Sequence, residues 1–168
     1  MAAPRIVLVR HAQAGDPGDW SGADRDRPLD TKGQHSALRM AQALASLLPA
    51  GNALCSSPYL RARQTAAPLA QALDTPLRQQ KWLAPGEPSG IELEKLARSL
   101  PDTGCLVMVG HEPDLSLLAG RLLGSTSAVV RMGKGAACGF AGTLPGPMQL
   151  VWHLPRRILE RLAANDGG

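Results

Sequence analysis

The sequence predicts an α/β fold with three layers, α/β/α, built around a mostly parallel central sheet. Short apolar runs alternate along the chain with longer amphipathic segments, as happens when helices connect parallel strands. The 168 residues fit one domain that can bury a core without a disulfide or a metal. We place that single domain at residues 1–164 and expect a disordered tail at 165–168.

The first part of the chain predicts a strand, a long loop and a helix. Arg5–Val9 is an apolar run typical of a buried parallel strand, and the polar residues 12–30, rich in Gly, Pro and Asp, indicate a long loop. A helix is expected at 33–48 behind an N-cap at Asp30 or Thr31. The apolar stripe of this helix comprises Leu38, Ala41, Leu44, Ala45 and Leu48.

A second strand at 53–55 leads into a second helix. Ser57 is expected as the N-cap of this helix and Pro58 as its first residue. Pro68 lies inside the helical pattern and should kink or divide the helix, because proline cannot donate the backbone hydrogen bond.

The remaining segments extend the same alternation toward the end of the chain. We expect a loop at 82–89, a helix from Ile91, a third strand at 105–110 and a helix at 115–123. Short strands are then expected at 127–132, 136–142 and 148–154, and Pro155 opens a last helix through Leu162.

Composition excludes several classes of function. The formal net charge is only +4, and no basic run is interleaved with aromatic residues, so nucleic acid is not an expected partner. No apolar run reaches the roughly 18 residues of a membrane span, and the N-terminal segment does not resemble a signal peptide. Cys55, Cys105 and Cys138 form no C-x-x-C pair and are expected to be reduced core residues of a cytoplasmic protein. The oligomeric state is left open.

Polar residues follow each of the three clearest strands. They are Arg10 and His11 after the first strand, Ser57 and Arg61 after the second, and His111 and Glu112 after the third. Ligands of such sheets bind beyond the carboxyl ends of the strands, so these side chains should meet at one edge. Asp16, Trp20 and Asp24 of the long loop are further candidates for substrate contact.

Two arginines and two histidines beside helix N-termini favour an anion, most simply a phosphate. Arginine forks match tetrahedral oxyanions, and helix N-termini add amide donors. A histidine in such a clamp can be a nucleophile that forms a phosphoenzyme. On spacing alone, a purely structural role for these residues is as well supported as phosphate chemistry.

Four motifs, in this order, resemble the histidine phosphatase superfamily, the phosphoglycerate mutase-like proteins. The motifs are LVRHAQAG at 8–15, RPLDTKG at 27–33, SSPYLRARQTA at 56–66 and VMVGHEPDLS at 107–116. The stretch LVWHLPRRI at 150–158 also resembles the small bacterial phosphohistidine phosphatases of the SixA type.

The resemblance implies a phosphatase that needs no metal or other cofactor. His11 would be the nucleophile, and Arg10, Arg61 and His111 would hold the phosphate, with Ser57 as a further candidate for phosphate binding. The general acid is open between Glu112, which follows the second histidine, and Glu87 in the loop before it.

The expected substrate is phosphohistidine on a protein. A weak or absent general acid would favour a nitrogen leaving group, and the short segment between the second arginine and the second histidine leaves little room for a closing loop. The alternatives are a broad phosphatase for small phosphate esters and a phosphate-binding regulatory module without turnover. The expected partners are therefore a phosphorylated protein or a small phosphate ester.

Overall fold

A six-stranded sheet with helices on both faces organises the described part of the chain. The computed structural model describes residues 3–87, 90–99, 104–144 and 146–165. The strands are β1 Ile6–Arg10, β2 Ala53–Ser56, β3 Leu77–Gln79, β4 Leu106–Gly110, β5 Ala137–Ala141 and β6 Gln149–Leu154. The helices are α1 Thr31–Leu47, α2 Leu60–Ala72, α3 Gly90–Arg98, α4 Asp114–Leu122 and α5 Arg156–Asn165.

The strand order is β3-β2-β4-β1-β5-β6, and neighbours are parallel from β3 to β1. Because β5 is antiparallel to both β1 and β6, it is the one strand of the described sheet that runs against the others. The expected mostly parallel sheet is therefore confirmed. In the register of β1 and β4, Arg10 lies opposite Gly110, so the chain continues from both strands into His11 and His111 side by side.

The alternating side chains of β1 divide the core into two layers. Ile6 and Leu8 belong to a cluster with residues of α3 and α4, including Leu93 and Leu118. Their neighbours Val7 and Val9 belong to a second cluster with residues of α1, α2 and α5. Helices thus cover both faces of the sheet, which confirms the three-layer architecture.

Helix α1 begins as expected, and its buried face contains Ala41 and Leu44 of the expected stripe but not Leu38. The Asp30 carboxylate accepts a hydrogen bond from the Gly33 amide at 2.7 Å, which makes Asp30 the N-cap. The buried stripe runs through Ala37, Met40, Ala41 and Leu44, whereas Leu38 is 52% exposed. The expectation for Leu38 was wrong because one residue turns a helix by about 100°.

Helix α2 differs from the expectation at both prolines of its sequence. It begins at Leu60, after Tyr59, so Ser57 and Pro58 precede the helix and Ser57 is not its N-cap. The helix also continues past Pro68 without division. Burial of an alanine- and leucine-rich face against the sheet outweighs the one backbone bond that proline removes.

The strands differ from expectation in two places, one a strand that was not predicted and one a predicted strand that is a loop. Strand β3 was not predicted, since it has only three residues, two of them exposed. Residues 127–132, expected as a strand, form a loop instead. Within 82–87, Trp82 and Leu83 are buried in a short 3-10 turn, while 88–89 lie outside the described residues.

The last helix, the cysteines and the lengths of the helices can also be compared with the expectations from the sequence. Asn165, which we expected in the tail, is the last residue of α5, and 166–168 lie outside the described residues. All three cysteines are buried and free, in agreement with their expected place in the core. Among the described residues, no helix has both the length and the apolar character needed to cross a membrane.

Candidate active site

The expected residues meet at the carboxyl edge of the sheet. The rings of His11 and His111 lie 5.1 Å apart between centroids, and the Ser57 amide donates to the Val109 carbonyl at the end of β4. Arg61 enters from the first turn of α2. These charged or titratable side chains are nearly fully buried, with exposed fractions of 7% for His11, 5% for Arg61 and 3% for His111.

His11 is held in one tautomer by the backbone of the residue that follows it. Its Nδ1 lies 2.7 Å from the Ala12 carbonyl oxygen, which can only accept, so Nδ1 carries the proton and Nε2 keeps its lone pair. The peptide of Ala12 is fixed in turn, because its amide donates to Thr65 Oγ1 at 3.0 Å. Burial, and after it the charges of Arg61 and Arg10, lower the pKa of His11 to about 4 against the raising effect of the bond to Ala12. His11 is therefore a neutral imidazole near pH 7.

His111 is neutral for a similar reason and is held from the other side. Its Nε2 lies 2.8 Å from Ser57 Oγ, and its ring meets the edge of the Tyr59 ring at 5.2 Å. Burial, and after it the electrostatic effects of a protonated His11 and of Arg61, lower the pKa of His111 to about 3. Ser57 thus positions the second histidine, a role that its expected place as a helix cap did not suggest.

The two arginines each keep part of the guanidinium without a partner. Arg10 is half-buried and donates from Nη1 to the Met132 carbonyl at 2.9 Å. Arg61 lies over the Tyr59 ring at 5.0 Å and donates from Nη1 to the Asp24 carbonyl at 2.8 Å. Within the described chain, the Nε atoms of both arginines are buried and lack a hydrogen-bond partner. Burial lowers the pKa of Arg10, and the charge of Glu112 opposes this effect.

Asp24 joins the long loop to the site. One oxygen of its carboxylate is 2.9 Å from Arg61 Nη2, and the other is 2.9 Å from Arg27 Nη2. Burial raises the pKa of Asp24, but the hydrogen bonds to Arg27 and Arg61 outweigh this effect and the net pKa is lowered. Of the three loop residues expected near substrate, Asp24 reaches the site, whereas Asp16 and Trp20 are exposed on the loop. The contact between Arg27 and Asp24 was not foreseen, although Arg27 stands in one of the recognised motifs.

The two candidate acids occupy different positions. Glu112 is half-buried, accepts a hydrogen bond from Ser116 Oγ at 2.7 Å and lines a cleft that also includes Arg10. Glu87 is exposed, although the amide of the preceding Gly86 donates to the Asp114 carboxylate at 2.8 Å. The geometry therefore favours Glu112 as the carboxylate beside the arginine clamp.

A profile of the histidine phosphatase superfamily (branch 1) matches residues 6–104 of the chain. The chain belongs to this superfamily. The resemblance drawn from the four motifs is thus confirmed. An uncharacterised relative from Picosynechococcus sp. is 40% identical over 157 residues, which are 91% of this chain and 92% of the relative.

Solved structures share the fold of this histidine phosphatase. The protein histidine phosphatase SixA complexed with tungstate has a TM-score of 0.76 at 21% identity, covering 90% of this chain and 97% of SixA. A mycobacterial glucosyl-3-phosphoglycerate phosphatase in complex with inorganic phosphate has a TM-score of 0.69 at 18% identity, covering 93% and 100%. One architecture thus carries phosphatases for different substrates, so the fold does not select among them.

Arg10 and Arg61 bring positive charge to the candidate site. In the ranges that the structure describes, no group of three His, Cys, Asp or Glu side chains could hold a metal ion. A neutral histidine with a free lone pair, two buried or half-buried guanidinium groups and a second histidine can bind and attack a phosphoryl group.

Proposed function

We propose that His11 is the nucleophile of a phosphatase reaction. The observation that supports this role best is the bond from His11 Nδ1 to the Ala12 carbonyl, since it leaves the Nε2 lone pair free in a neutral imidazole. In the first step Nε2 forms a bond to phosphorus while the bond from phosphorus to the leaving atom breaks with its electron pair. In the second step water attacks phosphorus, phosphate is released and the electron pair returns to Nε2.

The same bond suits the intermediate. A phosphoryl group on Nε2 leaves the ring positively charged as long as Nδ1 keeps its proton. The Ala12 carbonyl oxygen, 2.7 Å from Nδ1, stabilises that charge. Since Thr65 fixes the Ala12 peptide, the acceptor does not have to reorganise during the reaction.

We assign the phosphate pocket to Arg10, Arg61 and His111, with Ser57 acting through His111. Arg10 Nε, Arg61 Nε and His111 Nδ1 are buried polar atoms without a partner in the described chain. Each such atom costs roughly 1–3 kcal/mol when its hydrogen bond is unmade. A tetrahedral phosphoryl group offers enough oxygen acceptors to satisfy both arginines. The positive charge of the two guanidinium groups would in turn stabilise the negative charge on the phosphoryl oxygens in the transition state.

We further propose phosphohistidine on a protein as the substrate, with Glu112 as the carboxylate that accepts a hydrogen bond from the protonated leaving base. The walls of the cleft beside Arg10 include Pro113, Val129 and Arg131, all exposed, so a side chain carried on a larger molecule has a path to the site. The protein histidine phosphatase SixA shares this fold, which is compatible with such a substrate without selecting it. Small phosphate esters and phosphate binding without turnover remain the alternatives that the experiment separates.

The test compares turnover of two kinds of substrate in EDTA-treated buffer. One is a protein phosphorylated on histidine by phosphoramidate, and the other is a panel of small phosphate monoesters. We expect a higher kcat/KM for the phosphoprotein and an acid-labile, alkali-stable phosphoryl label on the wild-type enzyme.

The matched variants are His11→Ala and His35→Ala. His11→Ala should lose both the label and turnover, whereas His35→Ala, at an exposed site on α1, should keep both. Turnover that survives in His11→Ala would remove the nucleophile assignment. A higher kcat/KM for one small ester would replace the protein substrate by that class of ester, and phosphate binding without a label would leave a binding module.

A further inference from the structure

A cleft with an acidic wall lies next to the proposed phosphate pocket. It has a volume of about 600 Å³ and is lined by Arg10, Glu112, Pro113, Ser116 and residues 128–132. We call it the Glu112 cleft. Because Arg10 belongs both to this cleft and to the proposed phosphate pocket, a group attached to a bound phosphoryl can extend from one into the other.

The charge in the Glu112 cleft is held in place. Ser116 Oγ, one turn along the chain, donates to Glu112 Oε1 at 2.7 Å, so the carboxylate has a fixed position at the start of α4. Its field reaches the neighbouring groups, since it raises the pKa of Arg10 against the lowering effect of burial. The other charged side chains of the walls are Arg10, which the proposed function assigns to the phosphate, and Arg131, which is exposed. Solvent therefore screens Arg131 more strongly than the half-buried Glu112.

The rest of the lining is largely apolar. Pro113, Val129 and Met132 offer surfaces for a ring or an aliphatic chain rather than hydrogen-bond donors for an anion. Once a bound phosphoryl group neutralises Arg10, an anionic leaving group would face a carboxylate of its own charge, and the exposed Arg131 would compensate this repulsion only weakly. A cationic group, or a ring with an N–H donor, would meet an acceptor beside apolar surface.

We propose, building on the proposed function, that the Glu112 cleft receives the leaving group and selects for positive charge in it. The class of substrate that fits is a phosphorylated nitrogen base on a side chain, imidazole or guanidine, that carries a proton and hence positive charge on a nitrogen not bonded to phosphorus. The cleft discriminates against substrates with a second phosphate or a carboxylate near the scissile bond. Specificity then rests on the repulsion of the wrong leaving group as well as on attraction of the right one.

The test uses phosphonates, whose P–C bond is not hydrolysed, so that binding is separated from turnover. Three ligands of matched length carry a positive, a neutral and a negative end: 2-aminoethylphosphonate, n-propylphosphonate and 3-phosphonopropionate. Calorimetric titration of the wild-type protein should give the lowest Kd for the amine and the highest for the carboxylate. We expect the ratio between these two to be about tenfold, the scale of discrimination by one pocket contact.

Glu112→Gln keeps the shape of the side chain and removes its charge. This variant should reduce the ratio of the two dissociation constants to less than about threefold, mainly by improving binding of the carboxylate. Ser116→Ala, which frees the carboxylate from its hydrogen bond, should reduce the ratio partly. Asp114→Asn is the matched control, because Asp114 lies at the same end of α4, bonds to the Gly86 amide and does not line the cleft.

The outcomes separate this proposal from the proposed function. A ratio near one in the wild type, or a ratio that Glu112→Gln leaves unchanged, overturns the cleft as the selective element. Discrimination that is lost equally in Asp114→Asn overturns the assignment to Glu112 and points to the general charge of the helix start. Absence of a phosphoryl label on His11 overturns the proposed function, whereas the order of phosphonate binding is measured without turnover.

Discussion

Two buried neutral histidines should make the stability of the protein fall in mild acid. The pKa of His11 is lowered from 6.5 to about 4 and that of His111 from 6.5 to about 3. Below pH 6.5 these histidines are protonated in the unfolded chain but stay neutral in the folded protein. The free energy of unfolding therefore decreases as the pH decreases. For His11 this loss is complete near pH 4 and for His111 near pH 3.

The size of the effect at pH 5.0 follows from these values. Both folded pKa values lie below 5, so the loss depends mainly on the distance from pH 5.0 to the unfolded pKa of 6.5. Each histidine then costs roughly 2 kcal/mol at pH 5.0 relative to pH 7.5, and the pair costs roughly 4 kcal/mol. That is a large share of the stability of a domain of this size.

Urea unfolding followed by tryptophan fluorescence, in phosphate-free buffer at the two pH values, measures this loss. His11→Gln and His111→Gln should each remove about half of the difference between pH 7.5 and pH 5.0, since each removes one of the two buried bases. His35→Gln, at an exposed position on α1, is the control and should lose as much stability as the wild type. If the double variant of His11 and His111 still showed the full wild-type loss, neither histidine would be held neutral, and the reasoning for the nucleophile would fail.

Two further predictions concern the supports of the site. Thr65→Val removes the acceptor of the buried Ala12 amide, and we expect a loss of roughly 1–3 kcal/mol in urea unfolding together with a lower kcat, because the Ala12 carbonyl orients His11. Unchanged stability and kcat would show that the hydrogen bond from the Ala12 amide to Thr65 does not position His11. Asp24→Asn removes a negative charge 2.9 Å from Arg61, and since the Asp24 side chain is 55% exposed we expect only about threefold tighter binding of inorganic phosphate by calorimetry. Weaker binding would mean that Asp24 serves mainly to hold Arg61 in place.

The central part of the fold could be predicted because its signals are local. The runs that form β1 and β4 are continuous and apolar, and both strands are buried on both faces, so period and composition agree with the final structure. Strand β3 gave no such signal, because three residues at the edge of a sheet bury little. Residues 127–132 carry strand-like side chains that serve instead as the wall of a cleft, which composition alone does not distinguish.

The candidate site was predictable to the extent that strands position it. His11 and His111 follow neighbouring strands, and the rule for the carboxyl ends of parallel strands brings them together. The contact between Asp24 and Arg61 joins residues that are 37 positions apart in the sequence. Because Asp24 lies in a loop without hydrophobic periodicity, no sequence pattern predicts this contact. The choice between Glu112 and Glu87 likewise depended on which carboxylate the fold buries.

The register of β1 and β4 carries a consequence of its own. Because Arg10 is paired with Gly110, the adjacency of the two histidines is fixed by the backbone ladder and not by any bond between their rings. Deleting one residue from either strand would turn the following side chains of that strand to the opposite face of the sheet. The two histidines would then be separated, although both would still be present in the sequence. The chemistry of the site therefore depends on the lengths of these two strands as well as on the identities of its side chains.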